Sequence, residues 1–269
     1  MPRCCSDIGI SSWSVSTDPV YGTPLRISVN NMTDSPPAAL ARLIADVLQR
    51  ASWFQDCSAA SLQAIQDHAS IKRLGRGEML MRCGEPVGKL NMVLDGALEV
   101  SATSATGKRH VTNYLEPGQL IGLIPFIDEG GSVHDVTAHE DSLVLQLDRT
   151  LFERLTAAEP ALTRCLMRTL CLRSRRTYAR LTDSLLLPLR QRCAQTLLEL
   201  VSPYGVPAPQ GVAISLKLSQ EELADMIGCS RPMANRELKE LEKEGAISMT
   251  YSRYSIINIE RLRAIAAGH

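Results

Sequence analysis

A serine, a glutamate three residues on and a glycine six beyond that leave little freedom to the C-terminal part of this 269-residue chain. Ser219-Gln220-Glu221-Glu222 is a capping box: the Ser219 hydroxyl accepts from the third amide while Glu222 reaches back. The helix it opens carries Leu223, Met226 and Ile227 on one face, with the small Ala224 beside them, and Gly228 ends it as a left-handed C′ residue. Cys229-Ser230 restarts the chain, with Ser230 as N-cap. Pro232 follows in the first turn, where a missing amide hydrogen costs little. Two helices joined by so tight a turn make a helix-turn-helix.

The second helix runs to about Glu244, with Ala234, Leu238 and Leu241 as its inward stripe, and Gly245 stops it. Ile247-Ser248-Met249-Thr250-Tyr251 and Ser255-Ile256-Ile257-Asn258-Ile259 then read as two strands around Ser252-Arg253, a wing. Arg231, Asn235, Arg236 and Lys239 lie on the remaining surface of the helix. Arginine suits guanine and phosphate, asparagine suits adenine, and a helix N-terminus favours a phosphate. The candidate DNA contacts are therefore Ser219, Ser230, Arg231, Asn235, Arg236 and Lys239. An ordinary helical hairpin with solvated arginines would not need the box, the glycine, the Ser-Arg start and the following hairpin together.

Upstream, residues 1–38 are rich in Ser, Thr, Pro, Gly and Asn without periodicity, which reads as a disordered tail. Leu40, Leu43, Ile44, Val47 and Leu48, then Leu62 and Ile65, recur at helical spacing, as two helices joined near Trp53-Phe54-Gln55-Asp56. Residues 70–148 change to short apolar runs broken by Gly, Pro and Asp, the mark of an all-β roll or barrel. Asp95-Gly96 is its strongest hairpin signal. From Pro160, Met167, Leu170, Ser174, Thr177 and Leu181 recur at three- and four-residue steps, a coiled-coil-like stripe. A dimerisation helix is one reading of that stripe and a core helix the other. The arginines around it, Arg164 to Arg180, read as a solvated face. Pro188 starts another helix, to about Val201, and Pro203, Gly205, Pro207, Pro209 and Gly211 read as a loop.

Totals exclude several classes. With 29 basic and 29 acidic residues the formal charge is zero, so nucleic-acid binding must come from a local surface. Aromatics are only 4%, too few for a base-stacking platform. The eight cysteines, Cys4, Cys5, Cys57, Cys83, Cys165, Cys171, Cys193 and Cys229, form no CxxC pair and no zinc-ligand spacing; free buried thiols are expected. No run is long and apolar enough to span a bilayer, and the N-terminus lacks a signal peptide, so a cytoplasmic protein with no membrane contact is expected. No nucleophile–base set, paired-carboxylate motif or P-loop argues for an enzyme.

Taken together, Cys193–Leu200, Leu218–Ile227, Ser230-Arg231…Arg236 and Tyr254–Gly268 resemble the Crp–Fnr superfamily, bacterial regulators related to the cyclic-AMP receptor protein. The resemblance covers about residues 40–269. It implies an α+β chain: a cyclic-nucleotide-binding-type β-roll (a double-stranded β-helix or jelly roll), a long dimerisation helix and a C-terminal winged helix-turn-helix. The expected divisions are a tail over 1–38, a roll over 39–158, a dimer helix over 159–187 and a DNA-binding domain over 188–269. The resemblance also implies a homodimer on a two-fold symmetric double-stranded operator, in contact with RNA polymerase, with Arg236 touching bases or nearby phosphates. Many members carry a base-reading glutamate where this chain has Pro232, so their usual half-site does not carry over.

The sensor end departs further. Cyclic-nucleotide binders show Gly-Glu-Leu and then Arg-Ser or Arg-Thr around the phosphate. Here Gly122-Leu123-Ile124 and Ser132-Val133 stand in those places, and Thr177 alone matches a ligand-contacting threonine. Losing both polar anchors would leave a buried phosphate unpaired, so cyclic AMP in the usual mode is not expected. The cysteines do not reproduce an iron–sulfur spacing, and His110, His134 and His139 read as surface or hydrogen-bonded residues rather than haem ligands. The ligand pocket, if used, is Gly122, Leu123, Ser132, Val133 and Thr177. The expected function is DNA-binding transcription regulation; a ligand-binding module acting through protein partners is the alternative.

Overall fold

The computed structural model describes residues 37–51, 54 and 57–269. Helix α1 (Pro37–Arg50) begins just inside the stretch expected to be a tail; residues 1–36 of that stretch lie outside the described residues, as do Trp53, Gln55 and Asp56 of the expected connection. Leu43, Ile44, Val47 and Leu48 form the buried stripe of α1. Helix α2 (Ala59–His68) is capped by Ser58, whose hydroxyl accepts from Ser61 N at 3.2 Å. Ser58 N and Ser61 Oγ both donate to Glu159 Oε1 at 3.0 Å, tying this helical pair to the start of the long helix; the Ser58 side chain first, then these two bonds, hold that carboxyl below its usual range.

The roll is two antiparallel four-stranded sheets. One has the order β1 (Ser70–Leu74), β8 (Ser142–Asp148), β3 (Lys89–Asp95), β6 (Leu120–Ile121); the other has β2 (Met79–Met81), β7 (Asp135–Ala138), β4 (Leu98–Thr103), β5 (Arg109–Leu115). Strand β3 is covered on both faces, which is why its apolar residues do not alternate. Leu90, Met92 and Leu94 pack with α1, while Val93 packs with Leu98, Val136 and Val144. Its one buried amide is satisfied: Asn91 donates to Lys89 O and accepts from Gln146 Nε2.

Asp95-Gly96 is not a hairpin. Strand β3 pairs with β8 and β6, whereas β4 pairs with β5 and β7, so this turn carries the chain from one sheet to the other. Gly96 has φ 83°, and a Cβ there would run into Ser142 Oγ and the Asp141 carbonyl. The hairpin lies at Thr106-Gly107-Lys108 instead, with Thr103 opposite Arg109. After Gly122 the chain forms a short helix, α3 (Leu123–Asp128).

Helix α4 (Arg149–Ala158), capped by Asp148 on Leu151 N, leads into α5 (Pro160–Leu186), about 40 Å long at 1.5 Å per residue. Leu162, Leu166 and Thr169 bury one face of α5 against the roll. The expected stripe lies elsewhere on the helix and is largely open in the single chain: Met167 is 54% and Leu181 57% exposed, with Tyr178 and Leu185 beside them. Two of the arginines expected to be solvated also reach other elements, Arg180 while remaining exposed. Arg173 Nη2 donates to Leu120 O at 2.6 Å, and Arg180 donates to Thr112 O and to Glu199.

The C-terminal unit comprises α6 (Leu189–Tyr204), β9 (Gly205–Ala208), β10 (Gly211–Ile214), α7 (Gln220–Ile227), α8 (Arg231–Lys243), β11 (Ile247–Thr250), β12 (Arg253–Ile256) and α9 (Ile259–Ala266). Its sheet runs β11-β12-β10-β9. The stretch expected to be a proline-rich loop is therefore a strand pair, with Pro207 on the edge strand β9, where a missing donor is tolerated. The wing turns at Tyr251-Ser252, with Arg253 already paired to Thr250, and Ile259 belongs to a helix capped by Asn258 rather than to a strand. Of the six described cysteines only Cys193 is buried; Cys83 and Cys171 are exposed, against the expectation of buried thiols.

Candidate nucleic-acid interface

The capping box forms on both sides. Glu222 N donates to Ser219 Oγ at 3.2 Å, and Ser219 N donates to Glu222 Oε2 at 2.7 Å. Leu223, Ala224 and Ile227 bury α7, and Gly228, at φ 76°, returns its amide to Ala224 O. Ser230 holds the N-cap position of α8 with extended backbone, but its side chain makes no cap bond, contrary to expectation. Its exposed hydroxyl stays available beside the unsatisfied amides of the first turn.

Ala234, Glu237, Leu238 and Leu241 are the buried side of α8. Helical spacing then puts Pro232, Arg236 and Lys239 together on the opposite, exposed side, with Arg231 and Met233 flanking the start. Arg236, with 74% of its side chain exposed, rests its guanidinium on its neighbour Glu237 at 2.8 Å. Asn235 is different. It is half-buried, and its Oδ1 accepts from Gln220 Nε2 at 3.2 Å, so it bridges α7 and α8. Arg190 and Arg261 both grip Glu244 at the end of α8, and Arg190's hydrogen bond chiefly holds that carboxyl below its usual range.

Comparison with known proteins agrees with this geometry in domain order. Residues 71–159 match the cyclic nucleotide-binding domain family and residues 191–265 the Crp-like helix-turn-helix domain family, together more than half of the chain. The chain belongs to the Crp–Fnr superfamily. It is 25% identical over 217 residues to the CRP-like cAMP-activated global transcriptional regulator of Mycobacterium tuberculosis, covering 81% of this chain and 97% of that one. To the HTH-type transcriptional regulator Cmr of the same species it is 28% identical over 252 residues, covering 90% and 97%. In fold it is similar to FixK2 from Bradyrhizobium japonicum, with a TM-score of 0.67 at 19% identity over 75% of this chain and 98% of that one. As a Crp–Fnr member the chain is a transcription regulator with a DNA-binding helix-turn-helix; the alternative of a module acting through protein partners gains no support from these relatives.

The superfamily's sensor positions are placed as follows. Gly122 is left-handed at the start of α3, and Leu123 is 1% exposed within the apolar core shared with α1. Ser132 is buried with its hydroxyl donated to His134 O at 2.7 Å, while Val133 is 48% exposed. Thr177, on α5, is exposed and donates to Arg173 O.

One contact was not visible from local patterns. The sheet of β4, β5 and β7 packs on α7, and Ala97, Val111 and Tyr114 of the roll join the core of the C-terminal unit. His110 Nδ1 meets Asp225 O and His139 Nε2 meets Lys217 O at 2.8 Å. Tyr114 stacks edge-on against the His139 ring and donates to Glu99 Oε2 at 3.3 Å; burial pushes its own hydroxyl far above the usual phenol range. Arg109 pairs with Glu99, whose side chain is 5% exposed. Glu99, His139 and Glu222 come from three elements far apart in the chain, so no spacing rule could find them.

Proposed function

We propose that this regulator acts as a homodimer that reads a two-fold symmetric double-stranded operator with α8. The observation that carries it is the exposed side of α8, where Pro232, Arg236 and Lys239 stand opposite a fully buried apolar stripe. Arg236 reads a base edge or clamps a phosphate, while Ser219, Ser230, Arg231 and Lys239 take backbone phosphates. Asn235 supports the reading head by holding α7 to α8. Pro232 and Met233 offer apolar contact where relatives offer a carboxylate, which suits a thymine methyl.

Dimerisation through residues 159–187 is supported by the exposed apolar row of α5. A two-fold dimer sets its two reading helices about 34 Å apart, one turn of the duplex. A cytoplasmic location and contact with RNA polymerase complete the reading and rest on the superfamily alone. The signal is not cyclic AMP in the usual mode: a leucine buried in apolar surroundings and a serine committed to a carbonyl stand where a ribose and a phosphate would need polar anchors. No haem or iron–sulfur cluster belongs to the reading, and a UV–visible spectrum of fresh protein checks that. Footprinting on the DNA upstream of the chain's own gene tests the whole. A protected, symmetric site lost steeply with salt is expected; absent or salt-insensitive binding would overturn it.

A further inference from the structure

His139 bridges the roll and the reading head, and its ring is set up by its neighbours. Nε2 lies 2.8 Å from Lys217 O, and a carbonyl only accepts, so Nε2 carries the hydrogen. In the neutral ring the lone pair is then on Nδ1. That nitrogen faces Glu222 Oε1 at 3.6 Å, another acceptor, while Glu222 Oε2 is held by the capping box. Glu99 completes the group: one ligand atom from each of the three residues lies within 4.8 Å of the others. The His139 and Glu99 side chains are 7% and 5% exposed and Glu222 24%, so water screens this meeting of acceptors poorly. Arg109 offsets one of the two carboxylate charges.

We propose that Glu99, His139 and Glu222 form a divalent-cation site that joins the sensor roll to the first helix of the helix-turn-helix. A nitrogen-and-oxygen donor set of this kind suits zinc, cobalt or manganese. Tetrahedral ligation needs donor atoms roughly 3.4 Å apart, which the His139–Glu222 pair nearly meets at 3.6 Å and any wider pair, at most 4.8 Å, reaches by closing no more than about 1.4 Å. The outer shell is present as well: a backbone carbonyl fixes the His139 tautomer, Tyr114 holds Glu99, and the helix cap holds Glu222. A cation here would clamp α7 to β4 and to the end of β7.

The test uses cobalt(II) added to metal-stripped full-length protein. One equivalent per chain is expected, with the visible bands of nitrogen and oxygen ligation and without thiolate charge-transfer bands from the exposed Cys83 or Cys171. Bound cobalt should also raise the melting temperature. His139→Gln and Glu222→Gln should each weaken binding at least about tenfold, the loss found even for outer-shell partners. Glu222→Gln keeps a capping-box residue, so circular dichroism should show its helices intact. Cobalt held equally well by both variants would overturn the site. So would a wild type that takes up no cobalt. The site stands apart from the reading of DNA: a shift assay in chelator tests that reading, and its failure with cobalt binding intact would leave the site standing.

Discussion

Arg236 is where recognition narrows to a single side chain. Its guanidinium lies on Glu237 in the free chain and must exchange that partner for DNA. Arg236→Ala should cost about 1–3 kcal/mol of discrimination between operator and scrambled DNA in anisotropy titrations, whereas Lys239→Ala should weaken both alike and lower the salt slope by about one. A second residue sets a pH dependence. Burial pushes the Glu116 carboxyl up to about 7, partly countered by the hydrogen bond from Gln119. The folded protein thus binds this proton more tightly than the unfolded chain. The stabilisation is complete below about pH 4.5 and is lost as pH rises through about 7. Glu116→Gln should flatten urea-unfolding stability between those values and gain roughly 3 kcal/mol above pH 7 relative to wild type.

At the scale of elements, α5 offers the clearest experiment. Its apolar row is open in one chain, and a partner helix would bury it. Leu181→Asp should convert a dimer into monomers in sedimentation velocity, with operator binding weakened because the two half-sites are no longer bound together. The elements also show what a sequence can and cannot reveal. The helix-turn-helix was legible because Ser219, Glu222 and Gly228 act on amides within a turn of themselves. Strand partners were not: Asp95-Gly96 announces a tight turn, but whether the next strand folds back or crosses to the other sheet depends on Ser142 and Asp141, far along the chain. Pro207 hid β9 because a proline is read as a strand breaker until the strand is known to be an edge. Arg231, Arg236 and Lys239 are exposed on α8 as their pattern suggests, but Asn235 is half-buried and its duty depends on Gln220, a neighbour only in space. Arg173 and Arg180 likewise reach carbonyls that no helical pattern could supply.

For the whole molecule, the decisive feature is that roll and reading head share one core. Tyr114 is 1% exposed and belongs to the cluster of Leu223, Ala224 and Leu238 rather than to the interior of its own sheets. Wild-type protein should therefore melt in a single calorimetric transition. Tyr114→Ala, removing a large buried ring, should cost about 3–5 kcal/mol and separate the transition into two.

That shared core also has a history in each newly made chain. Tyr114 is synthesised about a hundred residues before α7. At bacterial elongation rates the interval is on the order of ten seconds. Through that time the roll carries an uncovered aromatic patch on the growing chain, facing whatever else is nearby. Where one tyrosine falls in the order of synthesis thus sets when this patch is covered: only once α7 has emerged.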